Sequence, residues 1–113
     1  MKVSIIIRTL NEEKYLPSCL EAIKSQDFHT EIEIIVVDSG SNDRTLEICA
    51  AHNVEIIQIK KSEFTYGRAL NIGCDRSQGG FLVFLSAHCI PNTANWLNNL
   101  TKPLFENKAD YVY

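Results

Sequence analysis

The sequence predicts an α/β protein, a three-layer α/β/α sandwich around a mostly parallel sheet. Three observations lead there. Ile5-Ile6-Ile7, Ile34-Ile35-Val36-Val37 and Phe81-Leu82-Val83-Phe84-Leu85 are unbroken apolar runs, the habit of parallel strands covered on both faces. Segments with apolar residues at helical spacing lie between them, and such alternation signals βαβ units. Each run then gives way to polar residues, at the strand ends where open α/β sheets bind ligands.

Val3 to Ile7 forms the first strand and leads into Arg8-Thr9-Leu10-Asn11-Glu12-Glu13. Asn11 is placed to cap a helical turn, with Glu12 and Glu13 at the positive end of its dipole. Pro17 suits the first turn of a helix, and Leu16, Cys19, Leu20 and Ile23 give that helix one apolar face. Phe28-His29-Thr30-Glu31 connects to the second strand, which stops at the carboxylate of Asp38. The next residues, Ser39-Gly40-Ser41-Asn42-Asp43, are turn chemistry. Asn42 or Asp43 can cap a helix carrying Leu46, Cys49 and Ala50 inward, with Asn53 at its C-terminal end.

Val54 to Ile59 is a third strand, nearer an edge because polar residues interrupt it. Lys60 to Gly67 is a polar loop before a helix from about Arg68 to Ser77. Within that helix Asn71 and Gly73 are poor interior formers, Gly73 costing roughly 1 kcal/mol relative to alanine. Gly73 suits close packing on the sheet and the Asn71 amide can fix a loop or a ligand; the alternative is a merely irregular helix. Gln78-Gly79-Gly80 is a turn into the last apolar run, which ends in Ser86-Ala87-His88-Cys89-Ile90-Pro91. Trp96, Leu97, Leu100 and Leu104 mark a further helix that Pro103 bends or breaks. Ala109 to Tyr113 reads as a strand with no turn after it, as though the chain were cut mid-fold. Right-handed crossovers set Asp38, the loop from Arg8 to Glu12 and Ser86 to His88 along one rim.

A chain of 113 residues has room for one domain, and 45% hydrophobic with 22% charged residues is ordinary for a soluble globular protein. The net charge of −3 supplies no basic field for nucleic acid. No apolar run has the length of a membrane span and the start lacks a secretory leader, so a cytoplasmic location is expected. Cys19, Cys49, Cys74 and Cys89 form no CxxC pair and read as reduced core or near-core residues. His29 and His52 lack spaced partner ligands and read as surface or helix-end residues.

The dinucleotide fingerprint Gly-x-Gly-x-x-Gly is absent after the first strand, and so is the P-loop pattern. A rim of this kind suggests a nucleotide held by base and ribose, its pyrophosphate met by a divalent cation and basic side chains. Asp38 can accept from a pyrimidine imide N–H, and Arg8 and Arg68 can meet phosphate; each arginine also has a plain solvated-surface reading. A receiver-like signalling domain with Asp38 as phosphoacceptor would need a lysine after a later strand, where this chain has Ser86.

Five blocks carry a family resemblance: Val3 to Glu13, Leu16 to Leu20, Ile35 to Thr45, Gly67 to Gly73 and Gly80 to Pro91. Together they resemble the nucleotide-sugar-binding half of a family 2 glycosyltransferase of the Rossmann-like GT-A fold. Phe64-Thr65-Tyr66-Gly67-Arg68 followed by Asn71 is similar to rhamnosyltransferase-like members. The resemblance implies transfer of a sugar from a nucleotide-sugar donor to a sugar or lipid-linked acceptor hydroxyl, as in cell-surface polysaccharide biosynthesis. Residues 1–113 would then be a single domain that stops before the acceptor-binding half, in the cytoplasm or at the inner membrane face, and inactive alone. It also implies that Asp38 contacts the nucleobase, that Arg8, Thr9, Leu10 and Glu12 lie against base and ribose, and that Arg68 borders the diphosphate.

Ser86-Ala87-His88 stands where the family has Asp-x-Asp, whose last carboxylate holds Mn²⁺ or Mg²⁺. Ser86 and Ala87 are carried over as donor-binding residues and His88 as the metal ligand, the alternative being that His88 only hydrogen-bonds a phosphate or packs beside Pro91. Histidine adds no negative charge and hard ions prefer oxygen, so such a site should bind metal more weakly than paired carboxylates. The general base would lie in the second half. A non-catalytic nucleotide-sugar-binding module is the alternative this substitution favours.

Overall fold

A computed structural model describes residues 2–26, 31–77 and 81–87, with residues 96, 97, 99 and 102 beyond them. Four strands form one sheet: β1 (Lys2–Thr9), β2 (Glu31–Asp38), β3 (Glu55–Gln58) and β4 (Phe81–Ser86). Three helices connect them: α1 (Leu16–Lys24), α2 (Thr45–Ala51) and α3 (Tyr66–Arg76), the last preceded by a 3₁₀ turn at Lys61–Glu63. The order is β3-β2-β1-β4 and every pairing is parallel. The chain therefore runs outward from β1 to β3, then crosses back to place β4 on β1's other side. That reversal between β1 and β4 opens the crevice where doubly wound sheets take ligands.

Side-chain alternation gives the sheet two apolar faces. Val3, Ile5 and Ile7 of β1 join Val36 and Val83 beneath Leu16, Cys19, Leu20 and Ile23 of α1 and Cys49 of α2. On the other face Ile6, Ile35 and Val37 pack against Ala69 of α3. β3 is the edge strand its polar residues predict. The apolar run of β4 is less covered than expected: Leu82 and Phe84 are 38% and 49% exposed. They lie on the α3 face of the sheet, and α3 sits over β1 and β2, so its cover does not extend to β4.

Pro17 occupies the first turn of α1 as expected. The helix after β2 turns Cys49 inward, but Ala50 is exposed, since a seven-residue helix presents only a narrow buried stripe. Asn53 follows its end at φ 60°, with Asn53 N–H donating to the Ala50 carbonyl and Val54 N–H to that of Cys49. That paired bonding is the Schellman ending, and asparagine tolerates the left-handed conformation it needs. His52 is a helix-end residue, capping α2.

Gly73 has the role its position suggested. A Cβ there would stand 2.5 Å from Ile6 Cγ2, so the missing side chain is what lets α3 lie on β1. Asn71 is exposed, and among the described residues no hydrogen bond ties its amide to a loop. α3 begins at Tyr66, two residues before the expected start, because the Thr65 hydroxyl accepts the Arg68 backbone N–H at 3.0 Å. The turn at residues 78–80, Cys89, the helix expected around Trp96 to Leu104 and the strand expected at Ala109 to Tyr113 lie wholly or mainly outside the described residues.

Candidate functional site

The rim at the carboxyl ends of β1, β2 and β4 assembles most of the residues singled out in the sequence. Register pairs Thr9 with Asp38, and Arg8 with both Val37 and Ser86. Alternation then divides the rim: Thr9 and Asp38 turn toward the α1/α2 side, Arg8 and Ser86 toward α3.

On the α1/α2 side Asp38 is 1% exposed, and both of its oxygens are occupied. Oδ1 accepts from Thr9 Oγ1 at 2.7 Å and Ser41 Oγ at 2.5 Å; Oδ2 accepts from the backbone N–H groups of Gly40 at 3.1 Å and Ser41 at 2.8 Å. The chain can fold back over its own carboxylate because Gly40 takes φ 106°, a conformation only glycine adopts without strain. Ser39 N–H adds a bond to the Thr9 carbonyl at 3.1 Å.

Asn11 does not cap a helical turn. At φ 53° its Oδ1 accepts from Asn42 N–H at 2.9 Å, while its own N–H donates to Ser41 Oγ at 2.8 Å. The neighbouring loop offers donors and acceptors at matching spacing, and that reciprocal pair wins over a local cap; α1 begins only at Leu16. Glu12, 7% exposed, donates its N–H to Thr45 Oγ1 at 2.8 Å, and Glu13 donates its own to Asp43 Oδ2 at 3.3 Å. Asp43 Oδ1 also takes the Thr45 N–H and hydroxyl at 2.9 and 2.6 Å, the helix-start role expected of it. Partial desolvation raises the Asp43 pKa, but the Thr45 and Glu13 donors outweigh it and hold the carboxyl below its usual range. Beneath this clasp, burial and then the Asp38 charge push the Cys49 thiol up to about 11, so it is a neutral core group.

The α3 side is built from cations. The half-buried Arg8 guanidinium lies over the Phe64 ring, 5.5 Å from its centroid. Arg68 is exposed, and its Nη1 donates to the Glu63 carbonyl at 3.0 Å. Ser86 is half-buried at the end of β4, and Leu10 is half-buried on the loop after β1. Ala87 is fully buried and its methyl belongs to the α1/α2-side core, so its side chain does not face the rim. His88 lies outside the described residues. Among the described residues no three side chains gather as a metal site, and of Ser86-Ala87-His88 the described part offers one oxygen donor, the Ser86 hydroxyl.

Sequence reading missed three contributors: Ser41, Asn11 as a cross-loop residue, and Phe64. The Asp-Ser-Gly-Ser pattern carried a signal for the first, since a turn-forming aspartate commonly binds backbone N–H groups two and three residues on.

The family model for glycosyl transferase family 2 matches residues 4–113. The chain belongs to that family. Curated relatives include a dolichyl N-acetyl-α-D-glucosaminyl phosphate 3-β-D-2,3-diacetamido-2,3-dideoxy-β-D-glucuronosyltransferase of Methanococcus voltae, 38% identical over 87% of this chain and 32% of its own. Another is the O-antigen chain rhamnosyltransferase RfbN of Salmonella typhimurium, 30% identical over 88% of this chain and 32% of its own. Among solved structures, residues 1–349 of Staphylococcus aureus TarS in complex with UDP-GlcNAc superpose with TM-score 0.81 at 30% identity, covering 97% of this chain and 33% of that fragment. The mannosyltransferase PcManGT of Pyrobaculum calidifontis, solved with GDP-Man and Mn²⁺, gives TM-score 0.78 at 25% identity over 88% of this chain and 31% of its own. The fold is thus the Rossmann-like GT-A nucleotide-binding architecture. The chain spans between 16% and 44% of the length of the curated relatives it matches. Among the described residues no helix is long and apolar enough to cross a membrane.

Proposed function

We propose that this chain is the donor-binding half of a glycosyltransferase that moves a sugar from a nucleotide-sugar donor to an acceptor hydroxyl. The observation that carries the reading is the rim at the β1/β4 reversal, where a closed polar clasp stands beside Arg8 and Arg68. Base and ribose would lie along Arg8, Leu10 and the backbone of Thr9 and Glu12, whose side chains are buried, and the diphosphate would meet the two arginines, whose planar heads suit bidentate phosphate contacts. Asp38 acts first as the residue that shapes this surface. For an imide N–H of the base to reach Oδ1, it would have to displace the Ser41 hydroxyl bonded there at 2.5 Å. Ser86 and the Ala87 backbone would border the sugar diphosphate.

A divalent cation, Mn²⁺ or Mg²⁺, is part of the reading through PcManGT and through His88. The described residues make an incomplete donor set for a hard ion: one hydroxyl at Ser86 and no carboxylate in the Asp-x-Asp position. Such an ion would rest mainly on the donor's own phosphate oxygens. The acceptor-binding residues and general base would belong to further chain. We place the protein in the cytoplasm, at the inner membrane face where the acceptor is lipid-linked, as the dolichyl phosphate in the name of the M. voltae relative suggests.

Calorimetry of the natural protein with UDP, dTDP and GDP sugars, with and without Mn²⁺, tests this: one nucleotide class binds, and Mn²⁺ tightens it. Absence of binding by every nucleoside diphosphate in both conditions overturns it. The substitution of Asp-x-Asp by Ser86-Ala87-His88 favours a second reading, a non-catalytic nucleotide-sugar-binding module. Release of sugar from the bound donor by the natural protein excludes that module; tight binding with no turnover supports it. His88→Ala should weaken the Mn²⁺ effect, and equal metal response in both proteins removes His88 from the site.

A further inference from the structure

We infer that Phe64 is a positioning residue for Arg8, holding its guanidinium at the rim in the orientation that meets a phosphate group. This rests on the donor-binding reading above and gives a role to a residue that the sequence motif contains without assigning one. Phe64 is well placed to hold something still. It packs against the α3-side core of Ile6, Ile35, Val37 and Ala69, and its N–H donates to the Lys61 carbonyl at 3.2 Å, closing the 3₁₀ turn. On either side of it, Thr65 caps α3 through the Arg68 N–H and Glu63 takes the Arg68 guanidinium on its carbonyl. The three residues Glu63-Phe64-Thr65 thus contact both rim arginines.

The chemistry of the contact favours phosphate. A guanidinium over an aromatic ring is held through the ring's negative face. Its N–H groups lie in its own plane, clear of the ring face, in the fork geometry that suits two phosphate oxygens. An arginine already resting on a ring also gives up less rotamer freedom when it engages a ligand.

The test is a double-mutant cycle in the natural protein, read as affinity for the nucleoside diphosphate it binds. Phe64→Leu should weaken binding about threefold, the scale of one partly exposed cation–π contact. Phe64→Tyr, which keeps the ring, should restore it, and Phe64→Met, which keeps volume without a ring, should repeat the loss should the leucine variant fold poorly. In an Arg8→Ala background the same Phe64 substitutions should have no further effect. Equal losses with and without Arg8 would show that the ring serves the fold alone, and unchanged affinity in Phe64→Leu or Phe64→Met would remove the coupling; either result overturns the inference while leaving the donor reading intact. Failure of the unsubstituted protein to bind any nucleoside diphosphate overturns both.

Discussion

On the α1/α2 side of the rim the polar groups are spent on one another: Asp38 accepts four hydrogen bonds within a buried turn, and Asn11, Glu12 and Glu13 bind the facing loop through backbone and side chain. On the α3 side Arg8 lies over the Phe64 ring and Arg68 donates to the Glu63 carbonyl. On the proposed reading the difference separates shaping from binding. A carboxylate saturated by internal donors contributes to stability and geometry, because removing it strands buried donors. Cations with soft, partly exposed contacts contribute little to stability and keep donors for a ligand.

The largest effect should follow from Asp38→Ala, which leaves Thr9 Oγ1 and two backbone N–H groups without their acceptor and should cost about 3 kcal/mol of unfolding free energy in urea titration. A change under about 0.5 kcal/mol, the range of ordinary surface substitutions, would mean the clasp holds nothing. Next, Gly73→Ala should destabilise by about 1 kcal/mol, the overpacking against Ile6 exceeding the gain in helix propensity. Stabilisation instead would show that α3 yields easily. Arg8→Ala and Arg68→Ala should each shift stability by less than about 0.5 kcal/mol yet weaken nucleoside diphosphate binding about tenfold, the worth of one charge-assisted hydrogen bond. A stability loss as large as that of Asp38→Ala would erase the contrast between the two sides.

The smallest effect concerns Asp43, whose donors keep its folded pKa below the ordinary 3.8. Its contribution is fully present above the unfolded value and is lost as pH falls through the folded one. Stability attributable to it should be level from neutral pH down to about 5 and decline only in the acid range below the ordinary carboxylate pKa. Asp43→Asn measured beside the natural protein should show no such acid loss, and a loss centred near neutral pH would contradict the assignment.

Much of this organisation is legible in the chain. Ile5 to Ile7 and Ile34 to Val37 lie in strands because uninterrupted β-branched runs suit a sheet covered on both faces, and Gly73 was conspicuous because glycine inside a helix needs a packing reason. What escaped reading depends on register. That Thr9 meets Asp38 across the sheet, or that Asn11 answers Asn42 rather than its own helix, follows from two strands aligning 29 to 31 residues apart. The role of Phe64 escaped for a related reason: the motif that contains it gives it no partner, and only docking of the segment before α3 on the sheet carries its ring under Arg8. Phe84 failed in the opposite direction, since its apolar run promised burial on a side that α3 does not reach.

The clasp also bears on how the chain folds. Its cross-loop bonds span 29 to 33 residues, the same separation as the β1–β2 pairing, and none can form until the intervening crossover has closed. Closing such a loop is an entropic toll that non-local contacts repay only once made. The rim surface therefore cannot form as a local structure before the two central strands are brought together. A substitution that slows their pairing should delay the proposed nucleotide binding as well, which would make that binding a late marker for folding of the sheet.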